Sequence, residues 1–346
     1  MEELNEVIFH FCNICGTLMV WLLMKKIVIF GGGSGLSQLL KGIKLFPVDI
    51  TAVVSVADNG GSTGLLRREL NIPAVGDISK VMLSMSESSQ DVIDLMNYRF
   101  TKSKSLGIHS VKNLLLMALM DLKGSFAKSL PVMETLLDVK GNILPLTEDN
   151  VNLVGITTNG KKVYGETQIT KCAKKIMEVK YDKDIVVNPD VIDAVRDADL
   201  IIFSSGSLLT SIVPHLIDKT LVREINNAKA EKMYICNLFT QPGETDDFSV
   251  KDHIMYLEKY LGKGSIDIVI ANNEVISSNL ANRYATLEQK DPVILDMHEF
   301  DDNDIYVIQD KLFTTQDGVY RHDSLKTGYL IFSYLMDGRK WHLQRV

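Results

Sequence analysis

The sequence is poor in basic residues and in cysteine. Its 346 residues include 37 Lys and Arg against 44 Asp and Glu, which gives a formal net charge of -7. Nucleic-acid binding depends on clustered Lys and Arg, so this balance argues against a nucleic-acid partner. The four cysteines, Cys12, Cys15, Cys172 and Cys236, are too scattered for a disulfide framework or a four-ligand zinc site. We therefore expect a protein of the reducing cytoplasm.

The first 23 residues lack the features of a signal peptide or a membrane span. The apolar run at residues 7–23 follows Glu2, Glu3 and Glu6, whereas a signal peptide begins with basic residues. The run is also shorter than the about 20 apolar residues that a span requires. A predicted strand and a glycine-rich loop begin directly after Met24. We therefore expect residues 1–23 to be an upstream extension with no role in the site, and we expect no membrane span.

Apolar runs rich in β-branched residues alternate with helical patterns from residue 26 onwards. The runs are almost continuously apolar, which is typical of strands buried on both faces. They lie at residues 26–30, 49–57, 199–204, 232–239 and 266–272. Segments with helical spacing, such as LSQLLKGIKLF and PDVIDAVRDA, separate them. The alternation predicts a single α/β domain over residues 24–346, with a doubly wound, mostly parallel, Rossmann-like sheet.

Two segments interrupt this alternation. Residues 78–138 are rich in Met and Leu at helical spacing, as in HSVKNLLLMALMDL, which predicts a helical insertion packed beside the sheet. Residues 142–170 contain two alternating runs around Asn159 and Gly160, a strong signal for a β-hairpin. We expect this hairpin to form a small antiparallel appendage.

The loop GGGSGLS, after the first predicted strand, lacks the third glycine of the dinucleotide fingerprint G-x-G-x-x-G. Leu36 or Gln38 stands at that position, depending on the register. A glycine-rich turn between a strand and a helix still presents free backbone amides and the positive end of a helix dipole. We favour a phosphate-binding loop over a turn that merely requires positive φ. Its candidate residues are Gly32, Gly33, Ser34 and Gly35.

Polar loops follow three further predicted strands, and ligands of open α/β sheets bind at the carboxyl ends of strands. In VADNGGSTG, the Asp58 carboxylate could hold Mg²⁺ or a sugar hydroxyl, or it could only cap its own turn. The loops SSGS and NLFTQPGET offer hydroxyls and backbone amides that suit a diphosphate. The candidate residues are Asp58, Asn59, Gly60, Gly61, Ser62, Ser205, Gly206, Ser207, Ser211, Asn237, Thr240 and Gln241.

Taken together, the motifs resemble one known family. They are KIVIFGGGSGLSQLLKGIK, DITAVVSVADNGGSTGLLRREL, VGDISK, ADLIIFSSGSLLTSIVPHL, CNLFTQPGETDDFSVKDHI, and RHD at residues 321–323. That family joins the 2-phospho-L-lactate transferases of deazaflavin cofactor synthesis to the bacterial gluconeogenesis factors, and the sequence is more similar to the second branch. Two segments depart from the family pattern. Ile108 and Lys112 stand where small residues are expected, and Ser79 stands where an arginine commonly follows GDI.

The resemblance implies a cytoplasmic protein that binds a nucleotide sugar such as UDP-N-acetylglucosamine. It implies support of cell shape and wall synthesis during gluconeogenic growth, and it is compatible with a homodimer and a partner from cell-wall synthesis. It also implies ligand contacts from Asp77, from Tyr284 as the residue that stacks on the base, and from Arg321.

A transferase is the alternative to a binding protein. In that hypothesis Asp58 holds Mg²⁺, the one cofactor we consider, while a phosphate-linked group is moved as in the 2-phospho-L-lactate transferases. The sequence offers no Ser-His-Asp or Cys-His arrangement, and its seven histidines are scattered. These features favour a regulatory binding protein over an enzyme.

Overall fold

A computed structural model gives the structure of the chain over residues 24–70, 72–100, 102–103, 106–172, 175–276, 290–301, 304–316 and 319–337. The upstream extension expected at residues 1–23 and the predicted base-stacking Tyr284 lie outside these ranges.

The described strands and helices follow one another in a mostly alternating order. The strands are β1 Lys25–Gly31, β2 Val48–Val54, β3 Asn142–Pro145, β4 Leu153–Thr157, β5 Lys162–Tyr164, β6 Ile176–Tyr181, β7 Leu200–Phe203, β8 Glu231–Ile235, β9 Ile268–Asn272, β10 Tyr306–Asp310, β11 Phe313–Gln316 and β12 Val319–His322. The helices are α1 Gly33–Ile43, α2 Gly61–Leu70, α3 Gly76–Met85, α4 Gln90–Asn97, α5 Val111–Lys123, α6 Phe126–Leu136, α7 Glu166–Thr170, α8 Pro189–Asp197, α9 Lys219–Asn227, α10 Val250–Leu261 and α11 Ser324–Asp337. A π-helical turn at Leu208–Ile212 and 3₁₀ turns at Leu106–Ile108, Val213–Leu216 and Met297–Phe300 complete the set.

The central sheet has seven strands in the order β10-β9-β8-β7-β1-β2-β3. All of its neighbouring strands run parallel. Each of the five predicted apolar runs supplies one of these strands. The predicted fold class, a doubly wound parallel sheet, is confirmed.

Alternate residues of β1 enter two different cores. Ile27 and Ile29 pack on one face of the sheet, and Val28 and Phe30 pack on the other. Helices α1, α3, α5, α6 and α11 contribute to the first core, whereas α8, α9, α10 and the strands β4 and β6 contribute to the second. Burial on both faces is the physical reason why the strand sequences are continuously apolar.

Two small antiparallel sheets accompany the central one. Strands β4 and β5 form the hairpin predicted at Asn159 and Gly160, and β6 pairs with the free side of β4. The range predicted for this appendage began at residue 142, but β3 pairs with β2 in the central sheet because Ile143 is buried in the first core. The hairpin itself begins at Leu153. Strands β11 and β12 form a second hairpin that the sequence did not predict.

Helices α3 to α6 occupy residues 76–136, where a helical insertion was expected. Ile78, Leu116 and Phe126 from three of them join the core that contains Ile27, so these helices pack on the sheet. Helix α5 ends at Lys123 and is followed by Gly124, whose φ of +72° is a conformation that favours glycine. Within the described ranges, no helix combines the length and the apolar character that crossing a bilayer requires.

Candidate functional site

A cleft of about 230 Å³ opens at the carboxyl ends of the central strands. The chain passes from β1 to β2 and β3 on one side of the sheet and continues with β7 on the other side, so the order of strands reverses beside β1. Ligands of doubly wound sheets bind in the crevice at this reversal. Predicted residues that line the cleft are Ser34, Gly35, Ser205, Gly206, Asn237, Thr240, Gln241 and Arg321. Lining residues that the sequence did not single out are Gln38, Leu238, Phe239, Lys290, Val319, Tyr320 and His322.

One wall of the cleft is the contact between the first turn of α1 and the loop after β7. A Cβ atom on Gly35 would lie only 1.9 Å from the Ser205 carbonyl oxygen, so this approach requires glycine. Gly33 and Gly206 adopt φ values of +57° and +147°, which side chains disfavour. The glycines therefore bring the amino end of a helix against a second strand end, an arrangement that suits an anion.

The loops after β7 and β8 hold each other in place. The Gly206 amide donates to Asn237 Oδ1 at 2.8 Å, and Asn237 Nδ2 donates back to the Gly206 carbonyl at 2.7 Å. The Ser207 hydroxyl donates to Glu244 Oε1 at 2.5 Å. Burial raises the pKa of Glu244 to about 7, although hydrogen bonds from Ser207 and two backbone amides oppose this rise. Asn237 and Ser207 thus position the loop, and a direct contact of either with a ligand stays a prediction.

The opposite wall comes from β12. Tyr320 stacks on Phe239 with a centroid separation of 6.0 Å, and both rings border the cleft. Gln38 Nε2 donates to the His322 carbonyl at 3.0 Å, which ties β12 to α1. His322 Nε2 donates to the Cys236 carbonyl, and burial lowers the pKa of His322 to about 4, so this histidine is neutral at physiological pH. Arg321 lies exposed at the rim of the same wall.

Three carboxyl groups meet beside the two glycine-rich loops. Asp58 Oδ1 accepts a hydrogen bond of 2.8 Å from the Gly60 amide, and Asp58 also bonds the Glu166 side chain. Burial and the charge of Asp58 raise the pKa of Asp77 to about 6. Burial, followed by the charge and the hydrogen bond of Asp58, raises the pKa of Glu166 to about 8. Asp58 therefore caps its own turn with one oxygen and belongs to a crowded acidic cluster, which lies outside the set of residues that line the cleft.

Among the residues that the structure describes, no three His, Cys, Asp or Glu side chains are arranged to hold a metal ion on their own. Mg²⁺ often binds one or two carboxylates and completes its shell with water and substrate phosphates. Asp77 lies beside the first glycine-rich loop, since a Cβ atom on Gly32 would be 3.2 Å from Asp77 Oδ2. A Mg²⁺ ion held by Asp58 and Asp77 together with the phosphates of a ligand stays a prediction.

The second glycine-rich loop is anchored by side chains from distant parts of the chain. Asn59 Oδ1 accepts hydrogen bonds from the amide and the hydroxyl of Thr167, at 3.0 and 2.9 Å. Arg67 is only 5% exposed and donates to the Asp58 carbonyl at 2.9 Å and to the Val151 carbonyl at 2.6 Å. These contacts fix the loop that carries the acidic cluster. Arg67 is the first of two arginines in LLRREL, and the sequence alone did not single it out.

The remaining predicted residues lie around the same loops. The Ser62 hydroxyl oxygen is 2.9 Å from His109 Nδ1. The same oxygen accepts a hydrogen bond of 3.2 Å from Asn113 Nδ2. Ser211 lies against the loops after β1 and β7. A Cβ atom on Gly32 would be 3.6 Å from Ser211 Cβ, and one on Gly206 would be 3.4 Å from it. The predicted residues thus form two neighbouring groups, one that lines the cleft and one around the acidic cluster, and their contacts with a ligand stay a prediction.

The family model of the 2-phospho-L-lactate transferase CofD matches residues 27–313. The chain belongs to the CofD family. It is 41% identical to the gluconeogenesis factor of Bacillus subtilis over 313 residues, which cover 90% of this chain and 98% of that protein. It is 39% identical to the gluconeogenesis factor of Halalkalibacterium halodurans over 308 residues, with 89% and 95% covered. The resemblance stated from the motifs is thereby confirmed.

The crystal structure of a similar protein agrees with the fold. The protein from Bacillus halodurans superposes with a TM-score of 0.85 at 39% identity, covering 89% of this chain and 99% of that one. The parallel sheet and its flanking helices thus belong to a fold that a solved structure shares.

Proposed function

We propose that this protein binds a nucleotide sugar, UDP-N-acetylglucosamine or a related UDP-sugar, in the cleft at the strand reversal. The observation that carries the proposal is that the two walls of the cleft offer different chemistry, one from α1 and the loop after β7 and the other from β12. Backbone amides and the amino end of α1 suit a diphosphate on one side, while Tyr320 and Arg321 border the other. An aromatic face can cover a base, and a guanidinium can bind a phosphate in bidentate fashion.

The physiological role in this proposal is that of a gluconeogenesis factor. The names of the relatives from Bacillus subtilis and Halalkalibacterium halodurans support a role linked to gluconeogenesis. We propose that ligand occupancy in the cytoplasm biases a conformation that a partner from cell-wall synthesis reads, which supports cell shape during gluconeogenic growth. A homodimer is the assembly we propose for this regulator.

A transferase remains the second candidate, because the acidic cluster lies beside the glycine-rich loops and the matching family model is that of a transferase. Asp58 and Asp77 would hold Mg²⁺ together with ligand phosphates. The metal would neutralise charge on a phosphate-linked group. The chain itself would orient that group through the loops after β1 and β7.

Calorimetric titration with UDP-N-acetylglucosamine, GDP and NADH, with and without Mg²⁺, tests the proposal. We expect saturable binding of the UDP-sugar and none of NADH, because the third fingerprint glycine is replaced. Asp58→Asn retains an acceptor for the Gly60 amide while removing the charge, so it should abolish any Mg²⁺ dependence without lowering stability. Tight NADH binding without a UDP-sugar signal would overturn the proposal. Turnover of a nucleotide conjugate would instead select the transferase.

A further inference from the structure

Three basic side chains lie together on the helical segment beside the cleft. They are Lys80 in α3, Arg99 after α4 and Lys112 in α5. Lys80 Nζ donates to Ser34 Oγ at 2.5 Å, Lys112 Nζ donates to Asn97 Oδ1 at 2.6 Å, and the Arg99 guanidinium donates to the Ile108 carbonyl. All three cations thus donate hydrogen bonds to neutral oxygens. In the part of the chain that the structure describes, none of them forms an ion pair within 4 Å.

Lys112 lies near both other cations, because Arg99 forms a β-bridge with Ser110 and Ser79 donates a hydrogen bond to Asn113. Partial burial, and then the positive charges of Lys80 and Arg99, lower the pKa of Lys112 to about 8. Lys80 also acts electrostatically on Asp77, although the two do not pair. Lys80 and Lys112 are partly buried and Arg99 is exposed beside them, so a bound anion would offset the repulsion between like charges and the lost hydration of the two lysines.

Hydrogen bonds place this group next to both glycine-rich loops. Ser34, which accepts from Lys80, is in the first turn of α1 and lines the cleft. Asn113, which follows Lys112, donates to Ser62 at the start of α2 and accepts from the Ser79 hydroxyl at 2.7 Å. The basic residues are therefore held at a fixed position relative to the ligand cleft.

We infer that Lys80, Arg99 and Lys112 form a second anion subsite beside the cleft, which binds a phosphate or carboxylate group. The anion is either a substituent of the nucleotide ligand or a separate small molecule that binds next to it. The inference rests on the proposed function for the identity of the first ligand. The inference adds a second anionic group to the bound state, in addition to the diphosphate of the nucleotide sugar. Lysine and arginine both donate charge-assisted hydrogen bonds to such groups.

The test compares UDP-glucuronate with UDP-glucose, which differ by one carboxylate, and repeats the UDP-glucose titration with inorganic phosphate present. We expect wild type to prefer UDP-glucuronate by about tenfold, the effect of one hydrogen bond to a charged group. Lys112→Ala should remove that preference and leave UDP-glucose binding within about twofold, while Lys112→Arg should retain much of it. Lys123→Ala, at the exposed end of the same helix, is the matched control.

The outcomes separate the two sources of the anion. A preference for UDP-glucuronate that depends on Lys112 supports an attached anion, and phosphate binding beside UDP-glucose that depends on Lys112 supports a separate one. If wild type shows neither effect, the subsite does not exist. If no UDP-sugar binds, inorganic phosphate alone is titrated into wild type and Lys112→Ala. Phosphate binding that Lys112→Ala loses would then uphold the subsite although the proposed function had failed, and equal or absent binding would overturn the subsite as well.

Discussion

At the scale of single residues, the acidic cluster shows how crowding sets protonation. Asp58, Asp77 and Glu166 lie close together at the glycine-rich loops, and burial penalises the charged form of the last two. Glu166 shares a hydrogen bond with Asp58, which requires a proton on one of them. Because the pKa of Glu166 is raised to about 8, Glu166 holds that proton at neutral pH. The cluster therefore carries less negative charge than its three carboxyl groups would suggest.

We expect Glu166→Gln to flatten the dependence of stability on pH. The folded protein keeps the Glu166 proton between the ordinary pKa of 4.5 and about 8, while the unfolded chain loses it. The free energy of unfolding contributed by this group is thus fully present below the ordinary pKa and is lost as the pH rises through this window. Urea unfolding of wild type and variant at several pH values measures the difference, with the exposed Glu148→Gln as control. Parallel curves for wild type and Glu166→Gln would contradict the assigned protonation.

The buried Glu244 carboxyl allows a second prediction at this scale. Glu244→Ala would leave the Ser207 hydroxyl and the amides of Leu208 and Leu209 without their acceptor. Leaving buried polar groups unpaired costs about 1–3 kcal/mol, so we expect a loss of that order in the free energy of unfolding. Glu244→Gln keeps an acceptor oxygen and should cost less. Equal stability of Glu244→Ala and wild type in urea unfolding would show that the loop after β7 does not depend on this carboxyl.

At the scale of elements, the contact of α1 with the loop after β7 depends on one missing side chain. We expect Gly35→Ala to destabilise the protein by about 1–3 kcal/mol, because the added Cβ would lie 1.9 Å from a backbone oxygen and would push the two elements apart. The same displacement should weaken ligand binding. Gly61→Ala, where the Cβ meets nothing within 4 Å, serves as the comparison and should cost only the strain of its φ of +39°. Similar losses in both variants would refute the steric explanation.

The elements that the sequence predicted best are those with a continuous local signal. The central strands have buried faces on both sides, and Asn159 and Gly160 mark a tight turn, so neighbouring residues were sufficient for both. Strand β10 and the hairpin of β11 and β12 carry half-exposed residues over four or five positions, which gives a weak pattern. The wall formed by Tyr320 was missed for this reason, although Arg321 beside it was found through the RHD motif.

At the scale of the whole molecule, contacts between residues far apart in the sequence determine how the loops are held, and the sequence alone does not predict them. Arg67, Asn150 and Val151 meet across more than 80 residues, and Asn59 and Thr167 meet across 108. No local pattern marks such pairs. We predicted the loops at the carboxyl edge as one site. In the structure the cleft is lined by the loops after β1, β7 and β8 and by β12, and the cluster of Asp58, Asp77 and Glu166 lies beside it. Topology fixes which loops are neighbours, and side-chain contacts fix which of their residues remain accessible to a ligand.

Ligand binding should be visible in the unfolding of the whole molecule. A ligand at 100 times its dissociation constant stabilises the folded state by roughly 2.7 kcal/mol. For a chain of 346 residues, an unfolding entropy of roughly 2.1 cal/mol/K per residue converts this to a rise in Tm of about 4 °C. We expect UDP-N-acetylglucosamine to produce this rise and NADH at the same concentration to produce none.

Tyr284→Ala and Arg321→Ala should each reduce the rise while the ligand-free Tm stays near that of wild type. For Arg321 the reason is that its side chain is exposed at the rim of the cleft, so its loss removes a ligand contact and little packing. Arg223→Ala, exposed on α9 away from the cleft, controls for the loss of one positive charge. If both variants keep the full rise, the predicted aromatic and guanidinium contacts are not used. The backbone amides of the loops after β1 and β7 would then have to hold the ligand, and Gly35→Ala alone should abolish the shift.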